Sequence, residues 1–146
     1  MIAYFDSSVL LAILLDEKTK AEAFAWWSGA EVRVSSILLK IETITVLRRT
    51  WELHHAILDS NWLARKTNEL EEFLCEVNLR IVDEEIERTI YLKNELSRCR
   101  SLDAIHMATV LQWAQLMPNN DFILYTFDKD LTALAQSLKI KTNPLP

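Results

Sequence analysis

The chain has 146 residues, close to the commonest size of a single domain, and we expect one domain over residues 1–146. Half of the residues are hydrophobic, a quarter are charged and the net charge is −5, so the composition is that of a globular protein. The acidic balance argues mildly against non-specific nucleic-acid binding through a basic surface. One glycine and three prolines are too few for an all-β fold with many turns.

Apolar periodicity and capping residues predict strands that alternate with helices. Strands are expected at residues 2–6, 31–35, 79–82 and 122–126, with a short edge strand at 140–142. Helices are expected at about residues 8–15, 18–28, 37–54, 61–75, 83–97, 102–116 and 129–138, with a turn at 118–121. This order predicts an α/β fold, with a mostly parallel central sheet of four to five strands between two layers of helices.

Serines lie at several of the expected helix starts. We expect Ser7 or Ser8 to cap the first helix, Ser60 to cap the fourth and Ser101 to cap the sixth, because serine is a favoured N-cap residue.

The cysteines and the amino terminus are typical of an intracellular protein. Cys75 and Cys99 lie in no metal or redox spacing, so we expect free thiols. The first residues lack the basic segment of a signal peptide, and the longest apolar run, residues 9–15, is too short to span a bilayer. We therefore expect a soluble, cytoplasmic protein with no membrane partner.

Four acidic residues can be placed at one edge of the predicted sheet. Asp6 ends the first strand and Asp128 follows the fourth, and parallel α/β sheets bind ligands at the carboxyl ends of their strands. Asp103 lies in the first turn of its helix, where the helix dipole favours a carboxylate. Glu42 lies in the middle of a largely apolar helix, where a glutamate needs a partner or a metal ion.

A shared cleft would bring these carboxylates into mutual repulsion, which a bound cation relieves. Oxygen ligands favour Mg²⁺ or Mn²⁺, and no set of histidines and cysteines has zinc spacing. Each acid alone is more often a cap, a turn residue or a surface residue. Their joint placement favours the metal site. His106 follows Asp103 by three residues on the same helix face, and it is interpreted either as a site contact or, more often, as a packed helix residue.

Four segments of the chain, in order, resemble the PIN domain family and, within it, the VapC-type toxins. The most specific segment surrounds Asp103 and reads LDAIHMAT. The others are YFDSSVLL from Tyr4, the stretch from Ser35 to Glu42, and YTFDKDL from Tyr125.

The resemblance implies a PIN-like α/β/α fold and a metal-dependent ribonuclease that belongs to a toxin–antitoxin pair. It implies that acids hold Mg²⁺ or Mn²⁺ and that neighbouring polar residues support them. It also implies a cognate antitoxin protein and a homodimer. The implied metal-binding and catalytic acids are Asp6, Glu42, Asp103 and Asp128, with Asp130 as a further acid and Ser7 and Thr126 as supporting residues.

The chemistry of the residues agrees with that function. A divalent ion can lower the pKa of a bound water and offset the charge of an RNA phosphate, while a carboxylate accepts the proton. Arg98 and Arg100 flank the Asp103 helix and are candidate phosphate contacts, with solvated surface charge as the alternative.

The sequence predicts an endoribonuclease that hydrolyses RNA phosphodiester bonds, and it leaves two other functions open. One is a non-catalytic PIN-like binding module, although such a module would more readily have lost an acid. The other is a different metal-dependent phosphohydrolase or a phospho-acceptor domain. A phospho-acceptor domain would need a second acid beside Asp6, and the next acid along the chain is Asp16.

Overall fold

The structure is a computed structural model that describes residues 1–117 and 121–144. Within these residues the chain forms four strands and seven α-helices, in the alternating order that the sequence predicts. The strands are β1 (Ile2–Phe5), β2 (Val32–Ser36), β3 (Val77–Arg80) and β4 (Phe122–Tyr125). The helices are α1 (Ser7–Leu14), α2 (Lys20–Gly29), α3 (Leu38–His54), α4 (Trp62–Leu74), α5 (Glu84–Leu92), α6 (Ser101–Gln115) and α7 (Lys129–Ser137), with a 3-10 helix at Asn94–Arg98. Most of the turn predicted at 118–121 falls outside the described residues.

The four strands form one parallel sheet in the order β3-β2-β1-β4. β1 lies in the centre, with Phe5 opposite Tyr125 of β4 and Tyr4 opposite Val34 of β2. The edge strand predicted at 140–142 is reduced to one bridge, between Thr142 and Leu124. The next N–H on this edge, that of Thr126 directly after β4, donates to the Asn143 side chain and not to a backbone carbonyl.

Alternation along β1 separates two hydrophobic cores. Ala3 and Phe5 pack on the face that α1, α2, α3 and α4 cover, together with residues such as Leu39. Tyr4 packs on the opposite face, which α5, α6 and α7 cover, together with residues such as Met107. The predicted three-layer α/β/α arrangement with a parallel sheet is therefore confirmed.

Most predicted elements are shifted by a residue or two in the structure, and two differ more clearly. The third strand was expected at 79–82 but ends at Arg80, because β2 ends at Ser36 and offers residues 81–82 no partner. The helix expected over 83–97 ends at Leu92 and is followed by the 3-10 helix. On an uninterrupted helix, Leu96 would lie about 80° around the axis from Ile86. The break lets both side chains enter the same core.

Helix caps also differ from the serines that the sequence suggests. Asp6, rather than Ser7 or Ser8, caps α1, because its carboxylate accepts the Ser8 N–H. Ser101 is the first residue of α6 and not its cap. Asn61, rather than Ser60, occupies the N-cap position of α4.

The cysteines are free thiols, as predicted. Among the described residues, no helix is both long and apolar enough to cross a membrane.

Candidate active site

The pairing of β1 with β4 brings the first predicted site residues together at the carboxyl edge of the sheet. Asp6 follows β1 and Thr126 follows β4, and the Asp6 N–H donates to the Tyr125 carbonyl at 3.4 Å. The Thr126 hydroxyl donates to Asp6 Oδ2 at 2.7 Å. Residues 120 positions apart in the chain therefore meet where α/β sheets hold their ligands.

Asp6 is a buried carboxylate held by hydrogen bonds on both oxygens. It is only 5% exposed. Its Oδ1 accepts from the Ser8 N–H at 3.1 Å and from the Ser8 hydroxyl at 2.5 Å. Burial raises the pKa of Asp6, while His106 and the hydroxyls of Ser8 and Thr126 favour the charged form, and Glu42 disfavours it.

The loop after β4 is fixed by the same hydroxyl groups. Thr126 Oγ1 accepts the Asp128 N–H at 2.9 Å, and Ser8 Oγ accepts the Phe127 N–H at 2.9 Å. Asn143 Oδ1 accepts the Thr126 N–H at 2.9 Å, so the segment after α7 supports the loop from behind. The loop thus arrives at Asp128 with its backbone N–H groups satisfied.

Ser8 therefore makes the contacts that the sequence suggested for its neighbour Ser7. Ser7 is half-buried, and its hydroxyl makes no hydrogen bond among the residues that the structure describes. The sequence offered no reason to prefer Ser8. The choice follows from the turn of α1, which places the residue two positions after Asp6 back over its carboxylate.

Asp128 and Asp130 lie at the start of α7. Asp128 caps this helix, because its Oδ1 accepts from the N–H groups of Asp130 and Leu131 at 2.8 and 3.1 Å. Asp128 Oδ2 receives no hydrogen bond within residues 1–117 and 121–144. Asp130 is exposed in the first turn.

Glu42 reaches the site from α3 and contacts a histidine. Its Oε1 lies 2.5 Å from His106 Nε2, and Nδ1 of the same ring lies 2.7 Å from the Tyr4 hydroxyl. His106 is 3% exposed and Tyr4 is fully buried. The sequence placed His106 on the same helix face as Asp103 but gave no sign of these two partners, which lie 64 and 102 positions away.

Asp103 lies in the first turn of α6, where the sequence placed it. Burial and the charge of Asp128 raise its pKa, while Arg100 and His106 act in the opposite direction. Arg100 Nε lies 3.6 Å from Asp103 Oδ2. Asp103 and Asp128 therefore repel each other across the site, as Asp6 and Glu42 do.

A cleft of about 500 Å³ opens beside Asp103. It brings four of the predicted residues to one surface, and basic and acidic side chains face it together. The lining residues are Arg98, Cys99, Arg100, Asp103, Asp130, Ala133, Leu134 and Ser137.

The donor set fits a hard divalent cation. Asp6, Glu42, Asp103 and Asp128 offer only carboxylate oxygens, which Mg²⁺ and Mn²⁺ prefer and which are poor zinc ligands compared with thiolates and imidazoles. A cation would also relieve the repulsion within each acid pair. Among the described residues, no three acids, histidines or cysteines form a ready-made cluster.

Comparison with known proteins agrees with the fold. A solved toxin–antitoxin complex from Klebsiella pneumoniae contains a chain with a TM-score of 0.62 and 17% identity, with 90% of each chain covered. The crystal structure of VapBC2 from Rickettsia felis, bound to a DNA fragment from the promoter of these proteins, contains a chain with a TM-score of 0.64 and 11% identity, with 98% of each chain covered. At these identities the likeness shows a shared fold. No curated protein matches the chain.

The family comparison covers nearly the whole chain. The model of the PIN domain family matches residues 3–137, a range that contains all of the predicted acids. This match confirms the resemblance found in the sequence motifs, and the chain belongs to the PIN domain family.

Proposed function

We propose that this protein is a Mg²⁺- or Mn²⁺-dependent endoribonuclease of the VapC type, the toxin of a type II toxin–antitoxin pair. The observation that carries the proposal is the placement of Asp6 directly after β1 and Asp128 shortly after β4, at the carboxyl edge of the parallel sheet. Glu42 raises the pKa of Asp6 and Asp128 raises that of Asp103, so all four acids interact in this region. Burial and a neighbouring acid raise the pKa of Asp6 and of Asp103, and a divalent cation is the simplest compensation for keeping these carboxylates charged.

The four acids would hold the metal ion, and Ser8 and Thr126 would orient Asp6 toward it. When bound, the ion would supply an activated water and offset charge on the scissile phosphate. One of the carboxylates would accept the proton of that water.

Arg98 and Arg100 support a polyanionic substrate. Both line the cleft beside Asp103, and the Arg100 side chain, although paired with Asp103 through Nε, is 86% exposed, so its terminal nitrogens can meet a phosphate. These arginines offset locally the net charge of −5. We infer that the RNA backbone follows this cleft toward the acids.

The proposed partners are a cognate antitoxin and a second copy of the chain. The fold is shared with proteins solved as toxin–antitoxin complexes. Several large apolar side chains are exposed at the end of α3 and beyond it, among them Leu53 and Ile57, and would gain from being covered. The proposed setting is the cytoplasm, where free thiols such as Cys75 persist.

The test is cleavage of a mixed RNA pool by purified protein, with Mn²⁺, with Mg²⁺ and with excess chelator. We expect metal-dependent cutting that is lost in Asp103→Asn. The matched control is Glu71→Gln, which also neutralises one acid but lies on the exposed side of α4, near the amino edge of the sheet.

Two results would contradict the proposal. Unchanged cutting by Asp103→Asn would remove the site assignment. No cutting with either metal, by folded protein freed of any co-purified partner, would favour the alternative of a PIN-like binding module.

A further inference from the structure

A buried chain of hydrogen bonds connects the inner face of β1 to the candidate metal site. It runs from the Tyr4 hydroxyl to His106 Nδ1 at 2.7 Å, and from His106 Nε2 to Glu42 Oε1 at 2.5 Å. Tyr4 and His106 pack with the core under α6, whereas Glu42 belongs to α3 on the opposite face of the sheet. The chain therefore joins the two helical layers at the edge where the acids lie.

The direction of the hydrogen bond to Glu42 follows from the chemistry of the acceptor. A carboxylate oxygen accepts, so His106 Nε2 carries a hydrogen and donates it to Glu42 Oε1. The Tyr4 hydroxyl contacts the other ring nitrogen, Nδ1. Glu42 Oε2 receives no hydrogen bond from the described part of the chain.

A glutamate side chain loses rotamer freedom when it is ordered, which has an entropic cost on folding. In Glu42 that cost is met by the His106 contact before any ion binds. Ligating carboxylates and their supporting hydrogen bonds act as a unit, and loss of the support weakens metal binding or activity by about 10–100-fold.

We propose that His106, held by Tyr4, is a positioning residue that fixes the Glu42 carboxylate, so that Oε1 is held by the protein and Oε2 is left for the metal ion. The inference rests on the proposed function, since it requires that Glu42 is a ligand. It gives a role to a buried histidine that the predicted acid set does not use.

The test measures Mn²⁺ affinity by calorimetry on purified, metal-stripped full chain. Tyr4→Phe removes only the hydroxyl, His106→Leu removes both ring nitrogens, and His106→Gln keeps an N–H donor near the position of Nε2. We expect about tenfold weaker binding for Tyr4→Phe and for His106→Leu, and affinity near the wild-type value for His106→Gln. Tyr125→Phe is the matched control, a buried tyrosine of β4 whose hydroxyl contacts neither residue.

RNA cleavage against Mn²⁺ concentration gives a second measurement. The midpoint is expected to rise by the same factor as the dissociation constant, while the rate at saturating Mn²⁺ changes less. If the substitutions only disturbed packing, the change in the Mn²⁺ midpoint of cleavage would not match the change in the dissociation constant.

The outcomes separate this inference from the proposed function. Wild-type protein that binds no Mn²⁺ and cuts no RNA overturns both. Wild-type protein that binds Mn²⁺ while Tyr4→Phe and His106→Leu bind it equally well overturns only the positioning role. Equal losses in His106→Gln and His106→Leu, with none in Tyr4→Phe, would assign His106 to packing and also overturn it. If His106→Leu does not fold, Tyr4→Phe decides.

Discussion

Thr126 offers the sharpest test of how the site is held together. Its hydroxyl is buried and makes two hydrogen bonds, one donated to Asp6 Oδ2 at 2.7 Å and one accepted from the Asp128 N–H at 2.9 Å. Thr126→Val keeps the branched shape of the side chain and removes both. Valine is equally suited to the end of a strand, so the effect is confined to these contacts.

The expected loss of stability can be worked out from these two bonds. A hydrogen bond to a charged group contributes about 1.5–3 kcal/mol, and leaving the Asp128 N–H without its acceptor costs about 1 kcal/mol more. Burying a methyl group in place of the hydroxyl offsets about 1 kcal/mol. We expect the free energy of unfolding of Thr126→Val to be lower by about 2 kcal/mol at neutral pH.

The difference in free energy of unfolding between the wild type and Thr126→Val should also depend on pH, and the direction can be worked out. The Thr126 hydroxyl favours the ionised form of Asp6 and so acts against the burial that raises the pKa of this carboxyl. Its contribution is therefore present where Asp6 is ionised and is lost as the pH falls through the folded-state pKa. Burial raises that pKa above the usual aspartate range, so the two proteins should converge in stability as the pH falls into the acid range.

Urea denaturation with chelator, at neutral pH and at the lowest pH at which both proteins stay folded, measures both effects. Thr109→Val is the matched control, because its buried hydroxyl donates to the neutral Ile105 carbonyl at 2.7 Å. Its cost should be the same at both pH values. A loss below about 0.5 kcal/mol for Thr126→Val, or a loss as independent of pH as that of Thr109→Val, would refute the reasoning.

Three further changes probe other parts of the structure. Asp103→Asn removes a repulsion between carboxylates, so its thermal unfolding midpoint should equal or exceed that of the wild type, and a lower midpoint would contradict the acid pairing. Asn143→Ala withdraws the acceptor of the Thr126 N–H and should lower the free energy of unfolding, measured by urea denaturation, by about 1–2 kcal/mol. An unchanged free energy of unfolding would contradict the supporting role of Asn143. Leu96→Ala opens a cavity under the 3-10 helix and should lower the free energy of unfolding, measured by urea denaturation, by about 2–4 kcal/mol. Leu92→Ala, at a largely exposed side chain, is its control and should cost little.

The parts of the site that depend on chain order could be predicted from the sequence. Parallel strands share a carboxyl edge whatever their exact bounds, so the order of the elements is enough to place Asp6 and Asp128 at that edge. Asp103 could be placed in the first turn of α6 for a similar reason, because periodicity and a basic connection marked the helix start.

The details that depend on pairing register could not be predicted in this way. Ile81 and Val82 are apolar but are 65% and 45% exposed, because the end of β2 decides where β3 stops. Ser7 and Ser8 are identical as residue types, and only the backbone path from Asp6 into α1 distinguishes them. Hydrophobic periodicity indicates which residues face a core, but it does not indicate which strand or side chain each residue contacts there.

His106 could be placed on its helix face from the sequence, but its hydrogen-bond partners could not. It connects two helical layers that pack on opposite faces of the sheet. Glu42 is carried by α3, on the face of the sheet that includes Phe5, whereas Asp103 and His106 are carried by α6 on the face that includes Tyr4. The hydrogen bond between His106 and Glu42 crosses this boundary at the site. A substitution in either core should therefore affect the position of Glu42 relative to Asp103 through His106.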